Sequence, residues 1–236
     1  MGSVVRLQNL GSILMPMRSD NLISELNSVK ASGSRPGLLL HTCCAPCSTY
    51  VLELLREVFD LTLYFYDPNI HPREEYEARR DEMRRYAERL LIPFTEGPYD
   101  VDRWFEVTKG HESGSEGSER CFICYEMRLS KAARFARDNG FEYFGTVLSI
   151  SPHKKAEKIN EIGLQLAGEY GIKYLKADFK KRDGFKRSIA LSKEHGLYRQ
   201  DYCGCVYSKK SRVTSSESGV KDNNSYNYRL PTPNYF

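Results

Sequence analysis

Several things are scarce in this chain. No apolar run approaches the ~18 residues that a membrane-spanning helix needs, and mean hydropathy is -0.55. No basic stretch leads into the apolar core of a secretory leader. These absences predict a cytoplasmic protein with no membrane partner. Charge of one sign is also missing: 35 Lys and Arg face 31 Asp and Glu, leaving a net +4. A balance this mild permits a polyanionic partner without requiring one. With 236 residues, one α/β domain with a real core is accommodated and two full domains would be cramped.

Cysteine is plentiful instead. Seven is an odd number, and Cys43 and Cys44 are adjacent, a spacing that disulfide geometry rarely tolerates. A chain of this length without a leader is no disulfide scaffold, so the cysteines read as thiols or metal ligands in a reducing compartment.

Along the chain, residues 1–34 lack a clear period and read as an N-terminal extension, its first dozen residues resembling a vector-derived scar. It holds a short predicted helix over 21–28 and a linker-like stretch at 31–36. From residue 35 strands and helices alternate. Strands are predicted over 38–41, 61–66, 92–95, 143–148 and 172–177. Helices are predicted from a Ser48 cap onward and over 73–91, 101–108, 125–137, 154–170 and 185–195. Residues 110–119, rich in Gly, Ser and Glu, read as a mobile loop. Beyond 208 the chain is a polar, disordered tail. Such alternation calls for a single α/β domain, 35–208, built on a doubly wound parallel sheet. Ligands of these sheets bind outside the carboxyl ends of the strands, at the switch point.

Three cysteine groups carry the chemical signal: Cys43-Cys44-Ala45-Pro46-Cys47, Cys121-Phe122-Ile123-Cys124 and Cys203-Gly204-Cys205. In a CxxC turn two sulfurs can face one ion, and thiolate-rich sites suit iron–sulfur clusters and zinc alike. A structural zinc closed by four sulfurs leaves three cysteines over. So does a 4Fe-4S cluster, unless a further metal takes two thiolates and a carboxylate. Spacing leaves open which sulfur binds which metal.

Other groups fall at predicted strand ends. His41 is a candidate proton or hydrogen-bond donor, and Asp67 and Asp178 are candidate carboxylate ligands, against the plainer readings of a structural His, a turn Asp and a helix cap. Ser149, Ser151, His153 and Lys154 sit where a helix N-terminus meets a ligand phosphate or sugar. Arg128, one helical turn beyond Cys124, is a candidate substrate contact, as are Arg199, Gln200 and Tyr202, which lead into the last cysteine pair. In the charged helix, Arg79, Arg80, Arg84, Arg85 and Arg89 alternate with glutamates, which favours a solvated face over a nucleic-acid contact. Lys180, Lys181 and Arg182 are the better candidate patch for a polyanion.

At these residues the sequence resembles the QueH family of epoxyqueuosine reductases. The likeness rests on Leu39-Leu40-His41-Thr42-Cys43-Cys44-Ala45-Pro46-Cys47-Ser48, Tyr66-Asp67-Pro68-Asn69-Ile70-His71-Pro72, Arg120-Cys121-Phe122-Ile123-Cys124-Tyr125-Glu126-Met127-Arg128-Leu129, Ser149-Ile150-Ser151-Pro152-His153-Lys154 and Tyr198-Arg199-Gln200-Asp201-Tyr202-Cys203-Gly204-Cys205. It covers roughly 37–208. The resemblance implies removal of the epoxide oxygen from epoxyqueuosine at the anticodon wobble position of tRNA, with a 4Fe-4S cluster beside a separate mononuclear iron, an unidentified electron donor and no cobalamin. It also implies a fold like the adenine-nucleotide alpha-hydrolase (HUP) superfamily, although that superfamily's Ser-Gly-Gly phosphate loop is replaced here by cysteines. His41 or a coordinating Asp would supply a proton. Two rival expectations are a tRNA-thiolating enzyme and a non-catalytic zinc protein that binds RNA.

Overall fold

Leu38, Leu39 and Leu40 decide the layering. In the computed structural model, which describes residues 21–209, they form the centre of β1 (Gly37–Thr42). Side chains alternate across a strand, so Leu38 and Leu40 enter one apolar layer while Leu39 enters the other. All three are fully buried, as expected of a central strand covered on both faces. The expected extension up to residue 20 and the tail beyond 209 lie outside the described residues.

Five strands make one sheet: β1, β2 (Asp60–Phe65), β3 (Phe94–Glu96), β4 (Tyr143–Thr146) and β5 (Lys173–Tyr174), in the order β3-β2-β1-β4-β5. Every pairing is parallel. In register, Leu39 stands opposite Thr62 of β2 and Phe144 of β4. The order reverses between β1 and β4, which confirms a doubly wound α/β sheet with its switch point at the carboxyl end of β1.

Seven helices are described: α1 (Asn21–Ala31), α2 (Ala45–Leu55), α3 (Arg73–Arg89), α4 (Val101–Thr108), α5 (Glu119–Asp138), α6 (Ala156–Tyr170) and α7 (Gly184–Glu194). Leu22, Leu26 and Val29 of α1, assigned from sequence to the extension, join α2 and α3 in the layer under Leu38 and Leu40. Leu129, Ala132 and Ala133 of α5 pack with Ile159 and Leu166 of α6 against Leu39. Within the described residues no helix is long and apolar enough to cross a membrane.

Several boundaries differ from the sequence expectation, each for a local reason. The helix after β1 begins at Ala45, with Cys44 at its N-cap and Pro46 in its first turn. A fixed proline φ favours that position. Ser48 is therefore inside the helix rather than its cap, with its hydroxyl bonded back to the Cys44 carbonyl at 2.9 Å. Helix α5 starts six residues before the predicted 125, placing Cys121 and Cys124 on a helix rather than in a turn. Strand β4 stops at Thr146, whose hydroxyl accepts the Leu148 N–H at 3.2 Å and opens a 3-10 turn over Val147–Ile150. Strand β5 is only two residues long. The Asn160 side chain of α6 takes both the N–H and the carbonyl of Ala177 (3.2 and 3.0 Å), so the backbone there is satisfied outside the ladder.

Candidate metal and active site

The first cysteine group follows directly from the switch point. Cys43 ends the turn after β1, Cys44 caps α2, and Cys47 lies in its first turn. Their three sulfurs lie within 4.8 Å of one another. Hydrogen bonds among the thiols push Cys43 and Cys47 up to about 12, and burial does the same for Cys44. Three anions cannot crowd there unaided, but a bound cation reverses that logic. The position at a helix N-terminus favours negative charge as well.

The second group comes from two distant segments. Cys121 and Cys124, three residues apart, lie on one face of the first two turns of α5, and Cys203 and Cys205 on the segment after α7. All four line one open cleft. Cys203 and Cys205 sulfurs are 3.6 Å apart. The Cys121 sulfur accepts the Gly117 N–H at 3.3 Å and the Cys205 sulfur accepts the Ser208 N–H at 3.4 Å, the kind of contact that surrounds metal-bound thiolates. The Cys205 thiol, the Lys154 ammonium and the Ser208 hydroxyl hold Cys203 well below the usual thiol range. The cleft is also lined by Asn69, Trp104, Arg128 and Lys154. Asn69 Oδ1 is buried there without a hydrogen-bond partner, while the Trp104 indole N–H and the Arg128 guanidinium face the Cys124 sulfur. Four thiols on one cleft are residue types that suit a metal or metal–sulfur centre, although among the described residues only the Cys43-Cys44-Cys47 group has its ligand atoms within 4.8 Å of one another.

Between the two groups stands Asp67, just past β2 and fully buried. Its Oδ1 accepts a hydrogen bond from Arg128 Nη2, while Oδ2 has no protein partner. Burial pushes its carboxyl up to about 6, against the pull of Arg128 and Arg79.

Residues 38–211 match the family model described as Epoxyqueuosine reductase QueH. The chain is 42% identical over 182 residues to the Streptococcus pyogenes protein of that name, covering 75% of this chain and 71% of the relative. It is 46% identical over 173 residues to the Acinetobacter baylyi protein, covering 72% and 79%. With the Dehalococcoides mccartyi protein it shares 40% over 185 residues, covering 78% and 98%. This chain belongs to the QueH family. Among solved structures, the U34-tRNA thiolase NcsA from Methanococcus maripaludis with its [4Fe-4S] cluster overlaps at a TM-score of 0.45 and 11% identity, covering 83% of this chain and 72% of that one.

The family's motifs meet the structure unevenly. Arg128 and Lys154 line the cysteine cleft. His41 is buried behind it: Nδ1 lies 2.8 Å from the Thr146 hydroxyl and Nε2 3.3 Å from the Tyr66 carbonyl. A carbonyl only accepts, so the proton sits on Nε2, and the Thr146 hydroxyl donates to Nδ1. Burial and Arg128 hold His41 well below the usual imidazole range. The neutral ring thus ties together the ends of β1, β2 and β4. Asp178 pairs with Lys180 at 3.2 Å. Ser149 is buried, its hydroxyl accepting the Phe179 N–H at 3.4 Å, and Ser151 is half-buried after the 3-10 turn. Arg199 donates to the Ser192 hydroxyl at 3.2 Å and stacks over Phe185. Gln200 Oε1 is buried without a partner.

Lys180 turns inward to the Ser149 and Lys154 carbonyls (3.0 and 3.2 Å), which removes it from the expected polyanion patch. Residues 110–119, expected to be mobile, are gathered by Arg120, whose Nη1 donates to the His111 and Glu112 carbonyls at 3.2 and 2.8 Å.

Sequence reasoning missed Arg79. Expected on a solvated face, it is 1% exposed. It pairs with Glu75 at 2.6 Å and donates to the Cys203 and Tyr202 carbonyls at 3.3 Å each. Gly204 completes this anchor. Its φ is +112, and an added Cβ would lie 2.8 Å from Ile70 Cγ1 and 3.2 Å from Arg79 Nη1. Meanwhile its carbonyl accepts the His71 N–H at 2.8 Å. Gly204→Ala is accordingly expected to destabilise the protein by ~1–3 kcal/mol, the scale of an unfavourable backbone conformation, and to loosen Cys203 and Cys205. Thermal melting and retained metal check both effects, and a variant matching wild type in each would refute the close packing.

Proposed function

We propose that this chain reduces epoxyqueuosine to queuosine at the wobble position of tRNA, using a 4Fe-4S cluster and a neighbouring mononuclear iron. Family membership supports the activity. The observation that carries the cofactor reading is the gathering of seven cysteines in two adjoining groups at the switch point. In this reading Cys121, Cys124, Cys203 and Cys205 hold the cluster. Cys43, Cys44 and Cys47 hold the second iron, with Asp67 Oδ2 as the oxygen donor left free for it. When bound, such a pair supplies electrons and a Lewis-acidic iron for the epoxide oxygen.

The balance of the reaction is one epoxide, two electrons and two protons giving one alkene and one water. The chain's own residues prepare for it. Lys154, with its ammonium in the cleft, places positive charge where oxygen develops negative charge. Arg128 fixes Asp67, and His41 locks the strand ends beneath them. Asn69, with a buried amide oxygen unpaired in the cleft, is placed to meet a substrate hydroxyl. The modified base must leave its stack to enter, which costs less in a single-stranded loop than in a duplex. The electron donor is a separate redox partner.

The direct test is incubation of anaerobically purified, chemically reduced protein with tRNA that contains epoxyqueuosine. Queuosine is the expected product. An intact cluster with no turnover would overturn the activity, and colourless protein with stoichiometric zinc would overturn the cofactor reading.

A further inference from the structure

Arg128 was expected from sequence to meet the substrate, yet it is 3% exposed and lies between the two cysteine groups. Three observations place it. It follows Cys124 by one turn of α5, on the cleft-lining face. Its Nη2 donates to Asp67 Oδ1 across the gap between α5 and the end of β2. Its guanidinium also faces the Cys124 sulfur. A guanidinium offers five donors in a planar fork, so one cation can engage the carboxylate and still present an N–H to a second acceptor. Taking a charged arginine out of water without full compensation is costly, and the second acceptor beside the guanidinium is the Cys124 sulfur.

We infer that Arg128 is a positioning residue that couples the two cysteine groups, holding Asp67 for the Cys43-Cys44-Cys47 site while its charge bears on the Cys124 side of the four-cysteine cleft. The inference rests on the cofactor reading above. Two consequences follow from elementary electrostatics. A positive charge beside a redox centre stabilises its more negative, reduced form, so removing the charge lowers the potential. Freeing Asp67 from the fork lets its carboxylate rotate and weakens the site that needs Oδ2, since outer contacts of this sort are worth ~10–100-fold in metal affinity. Lysine keeps the charge and loses the fork, so the two effects separate.

The experiment uses the full chain reconstituted anaerobically with iron and sulfide, as wild type, Arg128→Met and Arg128→Lys. Iron and labile sulfide per chain are measured together with the midpoint potential from the cluster's spectrum. In Arg128→Met a lower potential and a loss of iron in excess of sulfide are expected. In Arg128→Lys the potential stays near wild type while the excess iron is still lost. Arg128→Met with wild-type iron and potential would overturn the inference. Should that variant not fold, Arg128→Lys decides alone, and a full iron complement in it would overturn the inference. Wild-type protein that takes up no iron or sulfide refutes the cofactor reading instead, so the two failures are distinguishable.

Discussion

Cys124→Ala is expected to abolish the reductase activity, lowering it more than ~100-fold, because even the outer contacts of a metal ligand are worth ~10–100-fold. Cys124 is 7% exposed and packs with Trp104 and Cys205. Its sulfur is one of four in the cleft and the one nearest in sequence to Arg128. Without it, three sulfurs would remain for the four-sulfur centre proposed above, and the Arg128 guanidinium loses the sulfur beside it. Stability should respond differently with and without metal. In apo protein the change removes a small buried group and costs little. In loaded protein it removes binding free energy that is also folding free energy. The check is labile sulfide, iron and conversion of epoxyqueuosine-containing tRNA, with melting of both forms. Retention of sulfide and turnover would show that the four cysteines do not act as one set.

The second large effect is expected at Arg79. Arg79→Met should destabilise the fold by ~3–5 kcal/mol, the cost of removing one partner from a buried ion pair. The variant leaves Glu75, only 12% exposed at its side chain, without its cation. It also leaves the Tyr202 and Cys203 carbonyls without their donor. The cation stacked over the Tyr202 ring at 5.0 Å is lost as well. Since these contacts hold the segment that delivers Cys203 and Cys205, metal retention should fall with stability. Denaturant unfolding of the apo protein measures the first effect and iron content after dialysis the second. A loss below ~1 kcal/mol, the scale of an exposed pair, would mean that Arg79 behaves as the solvated residue its helix pattern predicts.

Much was legible before any coordinates. The apolar bursts at Leu38–Leu40 and Leu61–Phe65, separated by helical periods, specify parallel strands buried on both faces. That pattern alone implies the switch point beside Cys43, Cys44 and Cys47. The two strand-boundary errors have a common cause. At β5 and β4 a side chain, Asn160 or Thr146, takes over backbone hydrogen bonds, and a propensity pattern does not encode that. Arg79 was misplaced because α3 carries arginines all round, and charge periodicity cannot tell the one facing the Cys203 segment from those facing solvent. Arg128 was read toward substrate because its helical offset from Cys124 was visible and its partner, Asp67, was not.

What the chain alone determined is therefore the inventory: seven sulfurs in three groups, the parallel α/β scaffold, and motifs shared with the QueH family. Local rules suffice for these, since side-chain period and turn chemistry act over a few residues. Tertiary structure decided the partition of those sulfurs, with α5 and the segment after α7 closing one cleft and the α2 N-terminus forming a separate triad. It also decided that Arg128 and Asp67 stand between them. Those meetings join segments far apart along the chain, and only the packing of helices against both faces of the sheet sets which loop ends arrive at the same place.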